Sequence, residues 1–156
     1  QPVDADLLPC LNTLAENLKL ACSMLTQHHI QPVFEMINGT DMPRFLVLNI
    51  AQAQEMLEAV KHPALKMQYD CYHMAMMGED VLSALQENIQ DIGHIQLADN
   101  PGRHEPDSGE LDYTTIFKWL QHSAYSGYIA AEYRPSLASN QSFAWKDKYF
   151  PSNQSG

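Results

Sequence analysis

Apolar residues recur along this chain in two alternating rhythms. Over residues 4–29, Leu7, Leu11, Leu14, Leu18, Ala21 and Leu25 fall at helical spacing. Residues 31–38, QPVFEMIN, form a short apolar run that reads as a buried strand, ended by the turn pair Asn38-Gly39. Helical spacing returns over 44–62, with Pro63 as a stop, and 64–74 reads as a second strand. A helix over 79–92 carries Val81, Leu85 and Ile89 on one stripe, and 93–99 is the third strand. A helix over 112–125 has Asp112 as its N-cap, and a fourth strand, 127–135, is closed by Pro135. Residues 141–150, QSFAWKDKYF, are expected as a last short helix, and 136–156 as a weakly ordered tail.

Strands that alternate with helices predict an α/β fold with a parallel sheet. No shift in composition marks a linker, so residues 1–156 read as a single domain with its core in 4–150. At 156 residues the chain is long enough to bury a real core, and 45% hydrophobic with 18% charged residues is a globular composition. The formal net charge of -10 disfavours a phosphate backbone as partner, so no nucleic acid is expected. No stretch is apolar enough to span a membrane and no signal peptide is visible. Cys10, Cys22 and Cys71 are scattered without CxxC spacing, which suits reduced thiols and a cytoplasmic location. Asn38, Asn140 and Asn153 match the glycosylation sequon at a frequency that chance explains. Because the first residue is Gln1, the chain reads as processed, trimmed or cut from something longer.

Each strand carries one oxygen donor near its C-terminal end: Glu35 in PVFEMIN, Asp70 in MQYDCYH, Gln96 in HIQLAD and Glu132 in AAEYRP. In a parallel sheet those ends share one side, the side on which barrels and open sheets build active sites. Three carboxylates crowded together repel and raise one another's pKa, and a hard divalent cation removes that cost. Oxygen ligands favour Mg2+ or Mn2+ over zinc. Taken singly, each of these side chains reads as an ordinary exposed, paired or satisfied group; their shared position at the strand ends carries the inference. His73 is either a core histidine or a group facing the site. Arg103, if it points inward, suits a substrate carboxylate. His104 and Glu105 have no assignment beyond their neighbourhood. His28-His29 suits a helix C-terminus, and the Glu58/His62 spacing reads as a solvated helix face.

The segments PVFEMIN, MQYDCYHM, HIQLADNPGRHEPDSGELDY and GYIAAEYRP, in this order, resemble the hydroxypyruvate isomerases. These belong to the xylose-isomerase-like (β/α)8 TIM barrels, with tagatose and psicose epimerases as relatives. The resemblance covers most of residues 4–150 and is most specific over GRHEP…GELDY and GYIAAEYRP. It implies Glu35, Asp70, Gln96 and Glu132 as metal ligands, with Gln96 standing where the sugar epimerases have His. It further implies Glu35 and Glu132 as the acid/base pair and His73 and Arg103 as substrate-binding residues. A barrel has eight strands in roughly 250 residues. This chain supplies four β/α units, expected as the C-terminal half, with unpaired edges at 31–38 and 127–135 that could be closed by the missing half or, as a homo-oligomer, by a second copy.

The implied reaction interconverts hydroxypyruvate and tartronate semialdehyde, small 2-oxo or hydroxy acids, through an enediolate, with a place in glyoxylate and carbohydrate metabolism. Three alternatives stay open: a ketose 3-epimerase, an endonuclease-IV-like phosphodiesterase, and an inactive chain serving as an interaction module through its edges.

Overall fold

The computed structural model describes residues 7–151. Helix α1 (Leu8–Leu25) has Pro9 in its first turn, where a missing N–H leaves no orphan donor. A single 3-10 turn, Thr26–His28, follows, and His29 ends it in the left-handed region at φ 58°. Strand β1 is Val33–Glu35 and helix α2 is Ile50–Val60. The helical pattern expected from residue 44 is overruled over 44–49. There Arg44 is left-handed, Val47 is buried, and the Val47 carbonyl accepts the Ile37 N–H at 3.1 Å. Asn49 then caps α2 through the Gln52 N–H at 3.0 Å, so the helix starts where its first amides find an acceptor.

Strand β2 is Lys66–Asp70, shorter than the expected 64–74. Asp70 accepts the Tyr72 N–H at 2.9 Å and thereby caps a short helix, α3 (Cys71–Met76), which carries His73. Helix α4 (Val81–Asn88) is capped by Asp80 and passes into a 3-10 turn, Ile89–Asp91, where the expected helix had run to 92. Strand β3 is Ile92–Leu97 and α5 is Tyr113–His122, with Asp112 as its N-cap through the Thr115 N–H at 3.0 Å. Strand β4 is Tyr128–Ala131. Residues 141–150 do not form one helix; Phe143 divides α6 (Ser139–Ser142) from α7 (Ala144–Tyr149).

The four strands form one sheet in the order β1-β2-β3-β4, every neighbour parallel. This is the TIM-barrel pattern of successive β/α units, present here as a partial barrel with β1 and β4 at its edges. Alternation along the strands separates two chemistries. Met67, Tyr69, Ile95 and Leu97 are buried in the core that the helices cover, with Leu85, Tyr113 and Phe117. Gln68, Asp70 and Gln96 occupy the intervening positions and line the other face. The tail helix α7 is held by aromatic packing: the Phe117 ring lies 5.9 Å from Trp145, 4.6 Å from Tyr149 and 5.1 Å from Phe150. No helix of the described residues is long and apolar enough to cross a membrane.

Candidate active site

The strand register brings the carboxyl ends together. Glu35 lies level with Gln68, Asp70 with Gln96, and Gln96 with Ala130. Glu132 follows β4, with its N–H donated to the Leu97 carbonyl at 3.0 Å. Glu35, Asp70, Gln96 and Glu132 therefore stand along one rim. Among the described residues, one set of three His, Cys, Asp or Glu side chains offers ligand atoms all within 4.8 Å: Glu35, Asp70 and His73. Glu132 does not join that set. It is bound instead by Arg103, whose Nη2 donates to Glu132 Oε2 at 3.0 Å and reaches Asp70 Oδ2 at 3.5 Å. Arg103 thus points inward, and its guanidinium lies 5.2 Å above the Tyr72 ring. Gln96 Oε1 accepts from Gln68 Nε2 at 2.8 Å.

Two participants were not singled out in the sequence. Gln68 sits two residues before Asp70 on the same face, and strand alternation was the available signal. Asn38, treated as a turn and sequon residue, is fully buried, and its Nδ2 bonds His73 Nδ1 at 2.7 Å. Burial of that amide closes the sequon at Asn38. Asn140 lies in α6 and is exposed, and Asn153 lies outside the described residues. Glu58 pairs with Lys61 at 2.9 Å on an exposed surface, while His62 Nδ1 accepts the Ala64 N–H, as a solvated helix face requires.

The long loop after β3 holds Arg103 in place. Buried Asp99 is its knot: Oδ1 accepts the N–H of Asn100 at 2.8 Å and of Leu111 at 3.0 Å. Arg103 N donates to the Asp99 carbonyl, and the Arg103 backbone adopts φ 57°. His104 Nδ1 donates to the Arg134 carbonyl at 2.6 Å, and Glu105 Oε2 accepts the Ser136 N–H at 2.9 Å. Both residues act as latches that tie the segment after Glu132 to the loop. Gly109 is needed for close approach, since a Cβ there would lie 2.5 Å from the Asn100 carbonyl oxygen and from Asp99 Oδ1. Gly109→Ala is expected to destabilise by about 1–3 kcal/mol, read as a lowered denaturant midpoint; an unchanged midpoint would show that the loop yields freely.

Burial pushes the Asp70 carboxyl up to about 7 against the Tyr72 N–H and Arg103, with Glu35 and Glu132 adding to the rise. Burial also raises Glu35; the neighbouring Gln68 amide partly offsets this, and Glu132 raises it further. Burial and then Arg103 push His73 down to about 4, so it is neutral at pH 7. Three carboxylates face one guanidinium, and 3 − 1 leaves two negative charges uncompensated when all are ionised. Buried Glu35 Oε1 has no hydrogen-bond partner. An orphaned carboxylate oxygen in an oxygen-rich, doubly negative rim fits a hard divalent cation.

A protein-family model described as xylose isomerase-like TIM barrel matches residues 1–149. The chain belongs to that family. It is 38% identical over 137 residues to the hydroxypyruvate isomerase of Escherichia coli, covering 88% of this chain and 53% of that protein. It is 37% identical over 148 residues to a 2-oxo-tetronate isomerase of Cupriavidus necator, covering 95% and 57%. A crystal structure described as an AP endonuclease, family 2, from Brucella melitensis superposes with a TM-score of 0.85 at 31% identity, over 90% of this chain and 54% of that one. A 3-keto-D-glucoside 4-epimerase from Escherichia coli, at 23% identity and a TM-score of 0.79, shares the fold. The chain spans about half the length of the curated relatives it matches.

Proposed function

We propose that this chain carries the metal-binding and proton-transfer half of an isomerase of small 2-oxo or hydroxy acids, with hydroxypyruvate and tartronate semialdehyde as the substrate pair. The observation that carries the reading is the rim itself: fully buried Asp70 beside a partnerless Glu35 oxygen, with Glu132 two strands further on from Asp70 and a single arginine bridging these two. Relatives named as isomerases of two such acids support the substrate class.

Glu35, Asp70, Gln96 and Glu132 would hold Mg2+ or Mn2+. Bound there, a divalent ion supplies Lewis-acid stabilisation of the charge that develops on the substrate oxygens. The chain's own groups do the rest. The reaction removes a proton from the carbon next to the carbonyl and returns one to the former carbonyl carbon, passing through an enediolate. Glu35 and Glu132 share these transfers as base and acid. Burial that raises the Glu35 pKa makes it a stronger base than a solvated carboxylate. Arg103 has donors beyond the one given to Glu132 and binds the substrate carboxylate. His73, neutral at pH 7, hydrogen-bonds a substrate oxygen.

Cation binding must displace any proton on Asp70. With its pKa near 7, Asp70 is mostly protonated at pH 6 and mostly ionised at pH 8. Mn2+ affinity is therefore expected to rise up to roughly tenfold per pH unit below 7 and to flatten above it. Calorimetric titration between pH 5.5 and 8.5 reads this, and a flat profile would remove proton competition at Asp70.

The exposed edges need a neighbour. Tyr128 on β4 is 84% exposed, and Val33 on β1 is 36% exposed. A second four-stranded half, from the remainder of a longer chain or from another copy, would close the barrel. We propose the cytoplasm as its location, and the net charge of -10 argues against a nucleic-acid partner. The decisive assay offers hydroxypyruvate, a 2-oxo-tetronate, ketoses and abasic-site DNA in parallel with Mg2+ or Mn2+. Isomerisation of the acids alone is the expected result. Epimerised ketose or cleaved DNA would redirect the assignment, and no turnover with intact cation binding would favour the interaction-module reading.

A further inference from the structure

Behind the rim lies a hydrogen-bond network that meets the proposed chemistry only through His73. Asn38 is fully buried, three residues past Glu35. Its Oδ1 accepts two backbone donors, the N–H of Thr40 at 3.1 Å and of Asp41 at 2.8 Å. Those two bonds fix which end of the amide is oxygen, because an NH2 group cannot accept. Nδ2 must then face the other way, and it does so with two acceptors in reach: Asp41 Oδ2 at 3.0 Å and His73 Nδ1 at 2.7 Å. Asp41 Oδ2 is itself held by the Tyr72 hydroxyl, which donates at 2.8 Å. Every donor of the Asn38 amide is thus used.

The consequence falls on His73. A ring nitrogen that accepts an N–H carries no proton, so a neutral imidazole accepting at Nδ1 has its proton on Nε2. Nε2 is the nitrogen turned to the rim, 3.7 Å from Asp70 Oδ2. A protonated Nε2 has no lone pair for a cation. We propose that Asn38 is a positioning residue that locks His73 in the Nε2–H tautomer, making it a hydrogen-bond donor into the rim and not a cation ligand. This separates the roles within the Glu35–Asp70–His73 group: the carboxylates hold the cation and the histidine faces substrate oxygen. The tautomer rests on geometry alone; the role toward substrate rests on the isomerase reading.

Long-range 1H–15N correlation spectra of histidine-labelled, metal-free protein test the lock, with His73→Gln assigning the ring. Wild type is expected to show a protonated Nε2 and a bare Nδ1. The double variant Asn38→Asp/Asp41→Asn exchanges amide and carboxylate: position 38 keeps an oxygen for both backbone donors, and the amide at position 41 donates from the place of Asp41 Oδ2 to the new carboxylate and to the Tyr72 oxygen, which turns from donor to acceptor. Its carboxylate faces Nδ1, so the proton moves to Nδ1. A wild-type ring protonated at Nδ1, or a double variant with the wild-type pattern, overturns the proposal. Neither spectrum needs substrate, so a wrong substrate assignment leaves the result standing. In the active enzyme the exchange lowers kcat/KM about 10- to 100-fold; a shifted proton with undiminished activity sinks the donor role while leaving the tautomer assignment intact.

Discussion

Glu132→Gln is expected to lower turnover of the intact enzyme by about 10²- to 10⁴-fold while leaving the fold standing. The substitution keeps the size of the side chain and an oxygen that can accept from Arg103, which now donates to Glu132 at 3.0 Å. It removes the one property acid/base chemistry requires, the ability to take up and release a proton. The Glu132 side chain is 54% exposed, so no buried packing depends on its charge. Steady-state assays with hydroxypyruvate, alongside thermal melts, read both halves of the expectation. Turnover at the wild-type level would take Glu132 out of the acid/base role. Loss of both turnover and fold would assign it a structural one.

The largest effect on stability is expected at Phe117. Its ring is 1% exposed and touches Tyr113, Trp145, Tyr149 and Phe150, so one side chain joins α5 to both ends of α7. Phe117→Ala leaves a cavity that neighbours on two separate helices cannot fill together. A loss of about 3–5 kcal/mol is expected, read from the denaturant midpoint at unchanged slope. Amide exchange should report the fate of the tail, with residues 144–149 losing protection before the sheet does. A loss below about 1 kcal/mol would mean that α7 adds little to the core.

Much of this architecture was legible because the two rhythms of apolar residues differ so clearly. Alternation marked the face carrying Gln96, and the four strand-end oxygen donors stood out because each interrupted an apolar run. Asp112 was legible as a cap because its side chain needs only the Thr115 N–H three residues on. Local competition hid the rest. The apolar pattern over 44–49 resembles the start of a helix, yet Val47 enters the core in an irregular passage where its carbonyl accepts from Ile37. The run 64–74 read as one strand, whereas Asp70 both ends the strand and caps a helix, which turns His73 back towards the rim. Partners distant in sequence could not be read at all. Arg103 meets Glu132 across 29 positions and Asn38 meets His73 across 35, and neither pairing leaves a local pattern. His104 and Glu105 had no assignment beyond their neighbourhood, and the structure uses them as latches on the segment after β4.

The most direct test of the shared rim is anomalous diffraction from a Mn2+-soaked crystal. A single site bounded by oxygens of Glu35, Asp70, Gln96 and Glu132, with His73 outside the coordination sphere, is expected. Manganese bound elsewhere, or a site that leaves Asp70 unligated, would contradict a cation-centred role for this end of the sheet.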